Sequence, residues 1–141
     1  MGRYKPSGKG SAAKNTAWRN FSRYIRLRDS LATTGTADYC KCVTCGEVVS
    51  KDYLEAGHAF PGRTNGILFD EDLVYGQCRH CNRAREGEEQ AFRIFLVQKH
   101  SQAWYDLKKT ARRQGTFYTD DDYRIISGEY LRKYKELLNR C

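Results

Sequence analysis

The sequence predicts an α+β fold in which a turn-rich centre is flanked by helices. Three observations lead to it. Two Cys-x-x-Cys pairs, Cys42/Cys45 and Cys78/Cys81, bracket the centre. Apolar residues recur at helical spacing on both sides of it. Between the pairs, Gly- and Pro-containing turns separate brief apolar runs. The 141 residues suit a single domain over 15–141 behind a basic arm over 1–14. Within the domain we distinguish a basic helix (15–34), the cysteine-bearing core (38–90) and a helical extension (91–141).

Residues 1–14 are rich in Gly, Ser and Lys and offer nothing to bury, so a flexible arm is expected. From Asn15 to about Ala32, Trp18, Phe21 and Ile25 recur at helical spacing, with Leu31 extending the apolar side and Asn15 or Thr16 able to cap. Arg19, Arg23 and Arg26 form a second stripe on this helix, which suits either solvent or an anion. In the centre, Val43, Val48-Val49 and Tyr53-Leu54 predict short strands around Gly46. Residues 61–66 predict a turn, Ile67-Leu68-Phe69 a brief strand, and a helix opens near Asn82. Helices follow over 86–100, which reads as mostly buried, and over 102–113, with Trp104 and Leu107. Thr119 then caps a last helix with Asp120, Asp121 and Asp122 in its first turn, where the helix dipole favours acids.

The charge is asymmetric. Residues 1–28 carry eight Lys or Arg and no acid, whereas residues 29–141 carry 17 of each sign, so the +8 excess sits at the N-terminal end. Such an end attracts polyanions, phosphate backbones above all. No run approaches the roughly 20 apolar residues of a membrane span. The basic N-terminus has no apolar run behind it and does not read as a secretory signal. The expectation is a protein of the reducing cytoplasm, with no membrane partner and with cysteines as ligands or free thiols.

Two residues between cysteines let both thiolates of a tight turn face one ion, and two such turns complete a tetrahedral four-thiolate site. Structural zinc is the expected occupant, with iron–sulfur ligation, redox dithiols and disulfides as the other readings. The 32 residues between Cys45 and Cys78 exceed the 15–20 of a simple zinc ribbon, so something is inserted. Cys40 stands near the first pair with a poorer spacing, and Cys141 reads as a free thiol. His80 lies inside the second pair and reads as a surface residue, and His100 ends a helix, where a cation suits the dipole. The insertion carries Glu55-Ala56-Gly57-His58, and Asn82 directly follows the last cysteine.

The order Cys-x-x-Cys, Gly-His, Cys-x-x-Cys-Asn resembles the HNH or ββα-metal nucleases, especially four-cysteine members such as phage endonuclease VII. Closer still is the resemblance to the NinG (Rap) family of lambdoid phage recombination nucleases. It rests on Phe21-Ser22-Arg23-Tyr24-Ile25-Arg26-Leu27-Arg28-Asp29, Cys42-Val43-Thr44-Cys45-Gly46, Ala56-Gly57-His58, Phe69-Asp70-Glu71-Asp72, Gln77-Cys78, Cys81-Asn82 and Gly87. The resemblance implies a zinc-stapled ββα-metal core and hydrolysis of DNA phosphodiesters, selective for branched intermediates such as Holliday junctions or displacement loops. His58 would be the general base. Asn82 with one carboxylate would hold a catalytic Mg²⁺ or Mn²⁺. Many superfamily members carry an aspartate or histidine where this chain has Gly57. Glu71 is the leading substitute, then Glu55, with Asp72 and Glu86 behind. Leu73 stands where the pattern expects an asparagine that orients the histidine loop, a role that passes to a backbone carbonyl or to Asp72. Arg63, Arg79, Arg83 and Arg85 would clamp phosphates beside the site, with Arg19, Arg23 and Arg26 holding the DNA backbone. Symmetric cutting needs two sites, so a homodimer through the C-terminal helices is expected, and a phage recombinase is a further expected partner. The alternatives are a zinc-stabilised DNA-binding module without catalysis and an HNH nickase acting on ordinary duplex.

Overall fold

The structure is a computed structural model, and residues 11–61, 66–84, 88–112 and 115–141 are described. Helix α1 spans Ala12–Thr34. It begins earlier than the apolar spacing predicts because Ser11, rather than Asn15, caps it, accepting from the Lys14 N–H at 3.1 Å. Residues 12–14, assigned to the arm from composition, are therefore helical. The helix ends at Gly35, whose φ of 76° is left-handed backbone that suits glycine. Residues 1–10 of the arm lie outside the described residues.

Strands β1 (Tyr39–Lys41) and β2 (Val48–Ser50) pair antiparallel with Tyr39 opposite Ser50. Val43 lies in the turn between them and is not a strand. There Cys42 N–H donates to Glu47 O at 2.8 Å, and Gly46 takes a φ of 78° to bring the chain back. After one 3₁₀ turn (Lys51–Tyr53), β3 (Leu54–His58) pairs antiparallel with β4 (Val74–Cys78), with Leu54 opposite Cys78 and His58 opposite Val74. Residues 67–69 form turns, so the strand expected there is absent. Ile67 and Leu68 are fully buried in irregular backbone, and an apolar triplet alone does not distinguish that from a strand. A turn of π-type helix (His80–Ala84) follows β4. Then come α2 (Glu89–Lys99), α3 (Gln102–Ala111) and α4 (Asp120–Leu138). Thr119 and Asp122 form a reciprocal capping box on α4, as the sequence predicts.

The β3–β4 hairpin is the central layer, and alternation along its strands divides the core in two. Ala56 and Val74 face α1 and α4, meeting Phe21, Ile25 and Tyr130. Tyr75 and the flanking Leu73 and Ala59 face α2 and α3, meeting Phe92, Leu96 and Tyr105. Of α2, only Phe92 and Leu96 are buried while Ile94 is 55% exposed, so this helix is half-buried rather than enclosed.

Arg28 and Asp29 fasten α1 to the hairpin. The Arg28 guanidinium donates to the Glu71 and Val74 carbonyls, each at 2.9 Å, and to Asp29 Oδ1 at 2.8 Å. The other Asp29 oxygen accepts the Gly76 N–H at 2.7 Å. Burial alone would lower the Arg28 pKa, but the bonded Asp29 carboxylate outweighs it and raises it above the ordinary value. Among the described residues no helix is long and apolar enough to cross a membrane.

Candidate functional site

The turn between β1 and β2 supplies Cys42 and Cys45, and the end of β4 with the following π-type turn supplies Cys78 and Cys81. All four sulfurs lie within 4.8 Å of one another, and Cys45 Sγ stands 3.9 Å from Cys78 Sγ. Tetrahedral thiolates at ~2.3 Å from a zinc ion would be separated by roughly 3.8 Å, so the cluster can hold one zinc ion. Burial pushes the Cys42 thiol up. The Thr44 hydroxyl and the backbone N–H groups of Cys45, Cys78 and Thr44 more than offset this and bring it to about 6. Cys40 lies outside the cluster, buried beside Gly76 and bonded to the Thr33 hydroxyl at 3.7 Å. Cys141 is an exposed free thiol and His80 is exposed, both as expected.

The register of the hairpin sets the second group. Glu55 sits opposite Gln77, beside the turn that carries Asn82, and Asn82 Nδ2 donates to Glu55 Oε1 at 2.8 Å. Arg83 binds both oxygens of the same carboxylate, and Arg79 Nε lies 3.7 Å from it. Arg26 of α1 approaches the same region. Its burial lowers its pKa, while the Tyr134 and Glu55 charges act the other way. One carboxylate, one amide and two guanidinium groups thus converge from β3 and the turn after β4.

Glu71 is held elsewhere. It accepts from Tyr130 Oη and Lys133 Nζ, both at 2.8 Å, and so ties the loop before β4 to α4. Burial pushes its pKa up, but the bonds from Lys133 and Tyr130 and the nearby charges hold it below the ordinary value. Of the two acids favoured from the sequence, the structure brings Glu55 to Asn82 and commits Glu71 to the helix packing. Asp70 is likewise engaged, accepting from Lys108 at 2.8 Å and from the Asp72 N–H at 3.0 Å. Asp72 itself is exposed.

His58 ends β3 on the α1 side. Its ring stacks on Trp18 with centroids 5.1 Å apart and planes 20° apart, and its Nε2 lies 3.4 Å from the Leu68 carbonyl oxygen. A carbonyl only accepts, so this contact requires the proton on Nε2. Leu73 contributes only backbone here: its carbonyl accepts the Ala59 N–H at 2.8 Å and pins the residue after His58. Glu55 and His58 lie on opposite faces of β3, three residues or roughly 10 Å apart along the strand.

Gly57 shares the face of Glu55. A Cβ placed there would stand 2.1 Å from Gln77 Oε1, and Gln77 is fully buried, with its Nε2 donating to Thr44 Oγ1 at 3.0 Å. Thr44 in turn contacts Cys42 Sγ at 3.4 Å. The missing side chain at position 57 therefore makes room for a strut between the hairpin and the thiolate cluster. Composition and spacing do not single out Gln77 or Trp18. The signal for Trp18 was present in the apolar spacing of α1, where it reads as core.

The arginine stripe of α1 is divided. Arg19 is exposed and bonded to Thr16, while Arg23 donates to Asn20 at 3.1 Å and lies 4.7 Å from the Tyr134 ring, so it packs against α4. Arg63, Arg85 and Glu86 lie outside the described residues. His100 stacks on Trp104 at 3.8 Å, away from the cysteine cluster and its neighbours.

A hairpin between two helical layers, with four convergent cysteines at one end that can hold a metal ion, defines a small α+β protein. The profile described as Bacteriophage Lambda NinG protein matches residues 7–140, and the chain belongs to this NinG family. Protein ninG of Salmonella phage P22 is 28% identical over 100 residues, covering 68% of this chain and 47% of that protein. Proteins of the same name from Escherichia phage 933W and Enterobacteria phage VT2-Sa are each 28% identical over 102 residues, covering 70% of this chain and 48% of theirs. The chain spans about half the length of the curated relatives it matches. No solved structure matches it at a significant level.

Proposed function

We propose that this protein is a metal-dependent DNA endonuclease of the HNH type that hydrolyses phosphodiester bonds in branched recombination intermediates. The observation that carries the reading is the Glu55–Asn82 pair at 2.8 Å, flanked by Arg79 and Arg83, on the hairpin that ends in His58. A carboxylate beside an amide is an oxygen donor set of the kind Mg²⁺ or Mn²⁺ accepts while keeping several waters. The fit favours Glu55 over Glu71 as the carboxylate. A cation held there supplies neutralisation of phosphate charge and stabilisation of the departing 3′ oxygen. His58 is the general base of this reading; it ends β3 roughly 10 Å from Glu55 and on the opposite face, so the scissile phosphate and its attacking water would have to lie across the end of the hairpin between the two. Arg79 and Arg83, drawn to Glu55 in the free protein, become donors to the phosphate oxygens. The four-cysteine cluster, with zinc as its ion, has no part in the chemistry and fixes the turn that carries Asn82.

The test uses wild type, His58→Ala and Asn82→Ala on labelled duplex, flap and four-way-junction DNA, with and without added Mg²⁺. Wild type is expected to cut the junction in Mg²⁺, with both variants reduced at least 100-fold, on the scale of general-base loss. Equal products from wild type and His58→Ala, or none from either, would sink the catalytic reading and leave a DNA-binding module. Preferential cutting of plain duplex would remove the junction claim alone and favour a nickase.

A further inference from the structure

A cleft of about 480 Å³ opens between the Cys42–Cys45 turn, the C-terminal part of α1, β4 and α2. It lies on the other edge of β4 from the Glu55–Asn82 group. Gln77 pairs with Glu55 across the hairpin, whereas the Gly76 carbonyl accepts the Val43 N–H on the cleft side at 3.0 Å. The two places are separated by a strand and do not merge.

The cleft is built from unlike parts. Its wall includes the rings of Tyr75 and Phe95, with centroids 5.0 Å apart in an edge-to-face arrangement. Its rim carries two exposed ammonium groups, Lys41 and Lys99. Lys99 Nζ stands 5.3 Å from the Tyr75 ring and 5.7 Å from the Phe95 ring. The acid in the cleft, Asp29, is neutralised within the fold by Arg28 and the Gly76 N–H. No carboxylate pairs with Lys41 or Lys99 among the described residues. Two cations without a counter-charge favour an anion, and an aromatic wall favours a flat apolar group. A nucleotide combines both, and the volume is that of a small-ligand site, too narrow for a base-paired helix.

We propose that this cleft takes one unpaired nucleotide of a DNA single strand, with its phosphate on Lys41 and Lys99 and its base against Phe95. The inference rests on the preceding reading only in taking DNA as the partner. Duplex holds its bases in the stack, while branch points and gaps release them, so the cleft gives the protein a preference for interrupted DNA that base-sequence reading cannot supply.

The test measures fluorescence anisotropy of a labelled 12-nucleotide oligo-dT and of a 12-base-pair duplex, without added Mg²⁺ so that nothing is cut. The full chain is compared with Lys41→Ala/Lys99→Ala, with Phe95→Leu, and with a control that removes two exposed lysines elsewhere, Lys109→Ala/Lys135→Ala. Zinc content is measured in each, because Lys41 adjoins Cys42. The Lys41/Lys99 variant is expected to bind the single strand about tenfold more weakly, with its salt slope reduced by about 0.7, the release from one phosphate. Phe95→Leu is expected to lose several-fold on the single strand, as stacking is lost while apolar volume stays. Duplex affinity should stay within twofold in all variants. Unchanged single-strand affinity, an equal loss on duplex, an equal loss in the control, or no single-strand binding by wild type would each overturn the proposal. Failure here with intact junction cutting leaves the nuclease reading standing; absence of binding to any DNA removes both.

Discussion

At the scale of single residues, position relative to the hairpin decides which acid stands beside Asn82. Glu55 and Glu71 look equivalent along the chain, but one meets Asn82 and the other meets Tyr130 and Lys133. Their conservative variants should separate cleanly. Glu55→Gln is expected to lose Mg²⁺-dependent cleavage at least 100-fold, and about 1 kcal/mol of stability as its bonds to Arg83 weaken. Glu71→Gln is expected to keep cleavage and lose about 1 kcal/mol of stability at neutral pH, the scale of a charge-assisted bond at a half-exposed site. The sign of its pH dependence follows from the lowered pKa of Glu71. The stabilisation is present above the unfolded carboxyl range and disappears as pH falls through the still lower folded value, so wild type and Glu71→Gln should converge in acid. Abolished cleavage in Glu71→Gln, at wild-type stability, would reverse the assignment. Trp18 can be judged by the same logic. Its stack on His58 fixes the imidazole plane, so Trp18→Ala should slow single-turnover cleavage about tenfold in wild type, an effect of lost orientation. It should slow it no further in a His58→Ala background.

At the scale of elements, the features written as local patterns were legible in advance and those that depend on partners distant in sequence were not. The Cys-x-x-Cys spacing already implied the thiolate cluster, because two residues suffice to aim two sulfurs at one point. The Thr119 cap was equally legible, since its partner Asp122 is three residues away. By contrast, the role of Phe69-Asp70-Glu71-Asp72 depends on α3 and α4. Asp70 reaches Lys108 and Glu71 reaches Lys133, contacts that cross 38 and 62 residues. An acidic run in a loop invites a metal reading, and only the helix packing shows that Asp70 and Glu71 are already matched. Helix α1 starts before the apolar spacing indicates, because Ser11 rather than Asn15 caps it and the apolar residues begin only at Trp18. α1 and α4 clasp the hairpin through Phe21 and Tyr130, rings 4.7 Å apart and nearly perpendicular. Phe21→Ala should therefore cost about 3–5 kcal/mol, read as a lower urea midpoint, and Thr119→Ala about 1 kcal/mol.

At the scale of the molecule, the fold is small and its hairpin layer has only two strands, so the thiolate cluster is expected to carry much of its stability. Cys78→Ser, or a strong zinc chelator, should abolish the cooperative thermal transition, because metal-binding energy is here folding energy. A transition unchanged by chelation would show that the helices hold the hairpin unaided. The outer surface also exposes Leu107 at 72%, Ile125 at 69% and Leu138 at 44%, on α3 and α4. If these helices pair two copies for symmetric cutting, sedimentation should find a dimer that Ile125→Asp dissociates. A monomer for both proteins would require the two cuts to be made by independent visits.

The contact between Gly57 and Gln77 constrains the route by which such a site can change. Introducing aspartate at 57 drives a Cβ to within 2.1 Å of the Oε1 of Gln77, a fully buried amide. Shortening Gln77 first opens that room but cuts its link to Thr44 and leaves a void beneath the cysteine turn. Each single step is expected to be worse than either end, so the two arrangements stand as separate peaks with a valley between them. A side chain at 57 is therefore expected to be tolerated only together with a shorter one at 77, with the double variant keeping a higher urea midpoint than Gly57→Asp alone.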